Sequence, residues 1–240
     1  MPDIHAKEDQ ATGLRRLFVR TATPVGAIAG VDADAAIVAL AAACADVGER
    51  VLIIDRSRGG IAGQAGLRAR HELWHVLEGD VTIDMALLPL ADHVTLLPAA
   101  RGLDLVAAER HDWRKGVATA LGRMAATFDT WLVHGLPPAA EGCARPLFTV
   151  APSRAGVTDI YARIKALASS QGRRHFGIVA TRTAGDAAGE AVFAGLAATA
   201  RRFLGVELAY CGCWPASPVV IDGWRAALAD PEGDGHAAAA

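Results

Sequence analysis

The chain has 240 residues, of which 52% are apolar, and carries 24 basic against 26 acidic side chains for a formal charge of −2. That is length enough for one large α/β domain with a sizeable core. The near-neutral balance argues against a protein whose main work is gripping nucleic acid or an anionic membrane. Only Lys7, Lys115 and Lys165 are lysines, the other 21 basic residues being arginine, and this limits the chemistry more than any motif does.

The first 16 residues are polar and read as an N-terminal arm ahead of a first strand candidate, Leu17-Phe18-Val19. The opening MPDIHAKEDQ has neither a basic n-region nor an apolar h-region, so a cytoplasmic protein is expected. A helix pattern follows from about Asp34 to Val47 and is closed by Gly48. Its uninterrupted apolar run, Ala35 to Ala45, is 11 residues, too short to span a bilayer. Val51-Leu52-Ile53-Ile54 reads as a buried strand, as do Val94-Thr95-Leu96-Leu97 and Trp131-Leu132-Val133. A helical stretch lies between the last two, near Trp113 to Phe128.

Leu147 to Val150 is a further strand ending at Pro152, and a helix from about Ala155 to Ser169 carries Ile160, Ile164 and Leu167 on one face. Phe176 to Ala180 is a strand, Asp186 to Phe203 a helix, Val206 to Cys213 a strand, and Pro218 to Leu228 a final helix. Continuous apolar strands alternating with helices predict an α/β fold, a doubly wound and mostly parallel sheet covered on both faces. The expected organisation is an arm over 1–16, one α/β domain over 17–230 and a low-complexity tail over 231–240. Cys44, Cys143, Cys211 and Cys213 read as reduced core cysteines.

In such a sheet the first strand-to-helix turn commonly holds phosphate. Here that turn is expected within Thr21 to Asp34, and with the next strand ending at Asp55 the spacing resembles the MinD/ParA group of P-loop ATPases. The stretches DVGERVLIID (46–55), WHVLEGDVTIDMAL (74–87), VTLLPAARGLD (94–104), VTDIYARIKAL (157–167) and ARRFLGVELAYCGCWPASPVV (200–220) narrow the resemblance. They are similar to the FlhG (FleN) branch, regulators of flagellar number and placement.

The segment Asp9-Gln10-Ala11-Thr12-Gly13-Leu14-Arg15 resembles the DQAxxLR motif at the N-terminus of that branch. The resemblance implies a helix that forms on FlhF, a signal-recognition-particle-type GTPase, and stimulates its hydrolysis. A helix this short is marginal alone and would order on a partner. A glutamine amide both donates and accepts, which suits Gln10 to orient an attacking water. Asp9 would cap the helix, Ala11 and Leu14 would pack on the partner, and Arg15 would meet acidic or phosphate groups. The bland alternative is an ordinary polar arm.

A P-loop needs glycines, a lysine for the β- and γ-phosphates, and a Ser or Thr hydroxyl on Mg²⁺. Counting back from Gly48, the family's KGGVGKT falls on Ile28-Ala29-Gly30-Val31-Asp32-Ala33-Asp34. Both lysine positions, Ile28 and Ala33, are apolar, and the hydroxyl position is Asp34; no lysine lies between Lys7 and Lys115 in any register. Asp55 stands as in the family, but Ser57 replaces the catalytic aspartate. His134 takes the Walker B position, and Thr181 that of the adenine-reading asparagine, with Arg182 kept. The expectation is a pseudo-ATPase with no cofactor, the alternative being residual binding of ATP and Mg²⁺ through backbone amides, Arg56 and Arg58.

The last helix lacks the Lys/Arg face of the family's membrane anchor, so no stable membrane anchor is expected, and recruitment would run through a partner. A flagellar switch (C-ring) component, a flagellar transcription regulator and a second copy are further candidate partners; nucleic acid is not expected.

His71-Glu72-Leu73-Trp74-His75 is a formal HExxH. The metzincin continuation is absent, and Glu109 is a late candidate for a third ligand, so a solvated helix carrying two histidines competes with a zinc hydrolase. Gly59-Gly60-Ile61-Ala62-Gly63 reads as a flexible loop, no G-x-S-x-G occurs, and the tryptophans read as core aromatics.

Overall fold

The computed structural model describes residues 25–107, 116, 119–122, 124, 126–135, 146–183, 185–215 and 223. Among the described residues eight strands form one sheet in the order β3-β4-β2-β5-β1-β6-β7-β8. They are β1 (Val25–Gly30), β2 (Val51–Asp55), β3 (Leu88–Ala91), β4 (Val94–Pro98), β5 (Thr130–His134), β6 (Leu147–Val150), β7 (His175–Thr181) and β8 (Glu207–Trp214). Every pairing is parallel except that of β3 with β4. The expected doubly wound α/β architecture is therefore present.

The central strands are continuous apolar runs because both faces are covered. In β2, Ile53 packs with one helical layer, while its neighbours Leu52 and Ile54 pack with the other. The helix α1 (Ala33–Asp46) buries Ala33, Ala36, Ile37, Leu40, Ala41 and Cys44, a stripe at helical spacing against the first layer. On the opposite face α6 (Arg154–Gln171) and α7 (Asp186–Leu204) cover β6 and β7, with Ile160, Ile164, Leu167, Leu196 and Ala200 meeting Phe148 and Ile178. The Ser153 Oγ accepts the Gly156 N–H at 3.0 Å and starts α6.

Between β2 and β5 the helices with described bounds are α2 (Gly60–Gln64), α3 (Leu73–Glu78), α4 (Ile83–Ala86) and α5 (Ala100–Ala107).

Four features differ from, or add to, what the sequence predicts. The first described strand is Val25–Gly30; Leu17–Val19 lies outside the described residues. The glycine-rich segment is not a loop but the start of α2, where Gly59 takes φ 94°. Any side chain at Gly60 would run into the Asp34 carboxylate and the Ser57 hydroxyl. Leu88–Ala91 is an edge strand too short to stand out in the sequence, its Pro89 being tolerable because only one side is paired. Finally, α3 begins at Leu73, so His71 and Glu72 precede it. The arm and the tail lie outside the described residues, as do the expected last helix apart from residue 223 and part of the 113–128 stretch, of which residues 116, 119–122 and 124 are helical. Among the described residues no helix is long and apolar enough to cross a membrane.

Candidate functional site

The carboxyl ends of β1, β5 and β7 converge on the start of α1, where the phosphate-binding turn of a doubly wound sheet belongs. Only Val31 and Asp32 separate β1 from α1, far less than the turn expected over Thr21–Asp34. Ile28 and Ala29 are strand residues, Ile28 fully buried and paired with His134 of β5 and Leu147 of β6. Gly30 ends the strand at φ 128°, and a Cβ there would overlap the Thr149 carbonyl and hydroxyl. Ala33 is the first residue of α1 and is buried. A Walker A cradle wraps phosphate with the successive amides of a longer glycine-rich loop; a two-residue link has too few.

Two carboxylates stand at this link, and each has a basic partner from across the sheet. Asp32 sits in the left-handed region (φ 60°) and turns its side chain to Arg182, which follows β7 and is itself at φ 56°. The guanidinium donates through Nε to Asp32 Oδ2 at 2.8 Å and through a terminal nitrogen to Oδ1 at 2.6 Å. That fork holds the Asp32 carboxyl below its ordinary range and raises Arg182 above its own. Thr181, one residue back, is buried.

Asp34, in the first turn of α1, lies 2.7 Å from His134 Nε2 at the end of β5. Its other oxygen accepts the Gln64 amide at 3.4 Å, which ties α2 to α1. The resemblance implies that the residues at 34 and 134 flank Mg²⁺; here they bond to each other. An Nε2 that donates a proton to Asp34 has no lone pair for a metal.

Asp55 ends β2, only 1% exposed, with Oδ1 accepting the Ser57 N–H at 2.6 Å. The Ser57 Oγ in turn accepts the Ile61 N–H at 3.1 Å, so the residue at the expected catalytic position holds the start of α2. Arg56 and Arg58 both bind Asp104, at 3.2 and 3.0 Å. Thus the structure brings Asp32, Asp34, His134 and Arg182 into two pairs at one link, while Asp55 and Ser57 organise the neighbouring strand end.

The HExxH stretch does local work. Glu72 is the N-cap of α3; its carbonyl accepts the His75 N–H at 3.0 Å while the Glu72 N–H donates to His75 Nδ1 at 3.1 Å. A histidine whose Nδ1 is so engaged serves as the third residue of a capping box. No cluster of metal-ligating side chains occurs among the described residues.

The chain is 28% identical over 206 residues to the antiactivator FleN of Pseudomonas aeruginosa, covering 82% of this chain and 74% of that protein. No protein-family model matches it. Among solved structures, the MinC:MinD cell division complex of Aquifex aeolicus superposes with a TM-score of 0.55 at 23% identity, covering 86% of each chain. Cobyrinic acid a,c-diamide synthase of Mycobacterium smegmatis, with bound ATP analogue and magnesium, superposes with a TM-score of 0.55 at 20% identity, covering 73% of this chain and 82% of that one. The resemblance to the FlhG/FleN branch and to the MinD/ParA fold is borne out.

The last of these structures corrects the expectation of no cofactor. This fold holds an ATP analogue and magnesium in the diamide synthase, and nucleotide with Mg²⁺ is the cofactor to which the fold points. The described residues of this chain do not reproduce the P-loop manner of holding it: the link is short, its carboxylates are negative, and their partners close on them.

Proposed function

We propose that this chain, a relative of FleN built on the MinD/ParA fold, is a FlhG/FleN-type regulator of flagellar number or placement that acts as a pseudo-ATPase. It controls a partner by contact and not by turnover of its own. The observation that carries this reading is the pairing of Asp34 with His134 at 2.7 Å. The two residues that hydrolysis would need on Mg²⁺ are spent on each other.

The proposed partner is an FlhF-type GTPase in the cytoplasm, with recruitment to the flagellar base through that partner. Residues 9–15 lie outside the described residues, and their role rests on the motif. Gln10 orients the attacking water, Asp9 caps the partner-bound helix, Ala11 and Leu14 pack on the GTPase, and Arg15 meets its acidic or phosphate groups. A flagellar switch component, a flagellar transcription regulator or a second copy of the chain are further proposed partners.

The test is single-turnover GTP hydrolysis by FlhF with and without the full chain. Acceleration is expected, with loss in Gln10→Ala and in a deletion of residues 1–16. Absence of acceleration by the intact chain would remove the activator role.

A second reading, ATP and Mg²⁺ binding at the β1 link, is favoured by the ATP-analogue complex of the same fold. Calorimetric titration of the full chain with ATP and Mg²⁺ tests it, micromolar binding being the expected result on that reading.

A further inference from the structure

The strand ends hold a concavity away from the β1 link, on the far side of β5. Beyond the carboxyl ends of β2 and β4 lies a cleft of about 790 Å³, within the range of sites for small molecules. Its walls carry Arg58, Arg68, Arg70 and Arg101 with His71 and His75.

Three carboxylates share the lining, and each has internal bonds. Asp104 is held by Arg56 and Arg58. Glu72 caps α3 and accepts the Arg101 N–H at 3.3 Å. The Asp55 Oδ1 is taken by Ser57. Arg68 and Arg70, by contrast, are exposed and make no hydrogen bond or ion pair among the described residues. The Arg101 guanidinium lies 4.6 Å over the Trp74 ring, which seats it in the wall without neutralising it. His75 accepts a backbone proton at Nδ1, so its Nε2 carries a hydrogen and is a donor. The cleft thus offers guanidinium forks and an imidazole N–H, which match phosphate oxygens in charge and geometry.

One group asks for the opposite partner. Asp55 lines the cleft, is 1% exposed, and its Oδ2 has no hydrogen-bond partner among the described residues. A buried carboxylate oxygen without a donor is costly, and a hydroxyl on the same ligand supplies one.

We propose that this cleft binds a small phosphate ester carrying a hydroxyl group, the phosphate on Arg68, Arg70 and Arg101 and the hydroxyl toward Asp55. The proposal is independent of the regulatory reading above; the cleft shares Asp55 and Arg58 with the candidate nucleotide site, while Arg68, Arg70 and Arg101 belong to the cleft alone.

The experiment is calorimetric titration of the full chain at low ionic strength with glycerol 3-phosphate as the probe. Arg68→Ala/Arg70→Ala is the cleft variant, Arg163→Ala a distant surface control, and Arg182→Ala the control for the β1 link. Saturable binding is expected, weakened about tenfold or more in the double variant and unchanged in both controls. No saturable binding, an unaffected double variant, or equal weakening in either control would overturn the proposal. The two arginines are exposed and unbonded, so the double variant keeps its fold, which circular dichroism verifies.

Discussion

Arg182 grips both carboxylate oxygens of Asp32, at 2.8 and 2.6 Å, and so fastens the end of β7 to the start of α1 across 150 residues of sequence. The pair has a defined pH signature. The Asp32 carboxyl titrates below its ordinary 3.8, first because of the hydrogen bonds from Arg182. A carboxyl depressed in the folded state stabilises it above the unfolded value, and that contribution fades as pH falls through the lower folded value. Asp32→Asn should therefore lower the thermal midpoint slightly at neutral pH, by a few degrees at most for so exposed a pair. The difference should vanish in strong acid. Thermal melts of both proteins across this range check it.

Gly30 is required by position. At φ 128°, and with the Thr149 carbonyl where a Cβ would stand, Gly30→Ala should destabilise the fold by on the order of 3 kcal/mol. Urea unfolding reads the change directly. A neutral substitution would mean that the β1 link is not as tight as described.

The HExxH stretch should behave as a helix cap. His75→Ala removes the bond from the Glu72 N–H and should cost about 0.5–2 kcal/mol in stability. Chelation by EDTA should leave the thermal midpoint of the wild-type chain unchanged. Stoichiometric zinc in the purified protein, lost in His75→Ala, would restore the hydrolase reading.

Much of the fold was legible because the buried strands are short, apolar and evenly alternated with helices; β2, β4, β5, β6 and β7 stand where their runs predict. The first strand was not. VGAIAG is built of glycine, alanine and two branched residues, a weak strand signal. Counting back from Gly48 also carries the family's loop length with it, which turns the strand residues Ile28, Ala29 and Gly30 into loop.

The loss of lysines could be read along the chain, whereas what replaced them could not. Asp34 and His134 are 100 positions apart, and only the parallel register of β1 with β5 brings them together. The cleft at β2 and β4 was equally hidden, since Arg68 and Arg70 lie in a connection that carries no motif and Arg101 comes from α5, about thirty residues further on.

The most direct measurement is steady-state phosphate release from ATP by the full chain with Mg²⁺, in the presence and absence of FlhF. With Asp34 and His134 bonded to each other, release should not exceed the protein-free blank under either condition. Mg²⁺-dependent turnover that saturates with ATP would show that the link opens to a working site, and the pseudo-ATPase reading would fail.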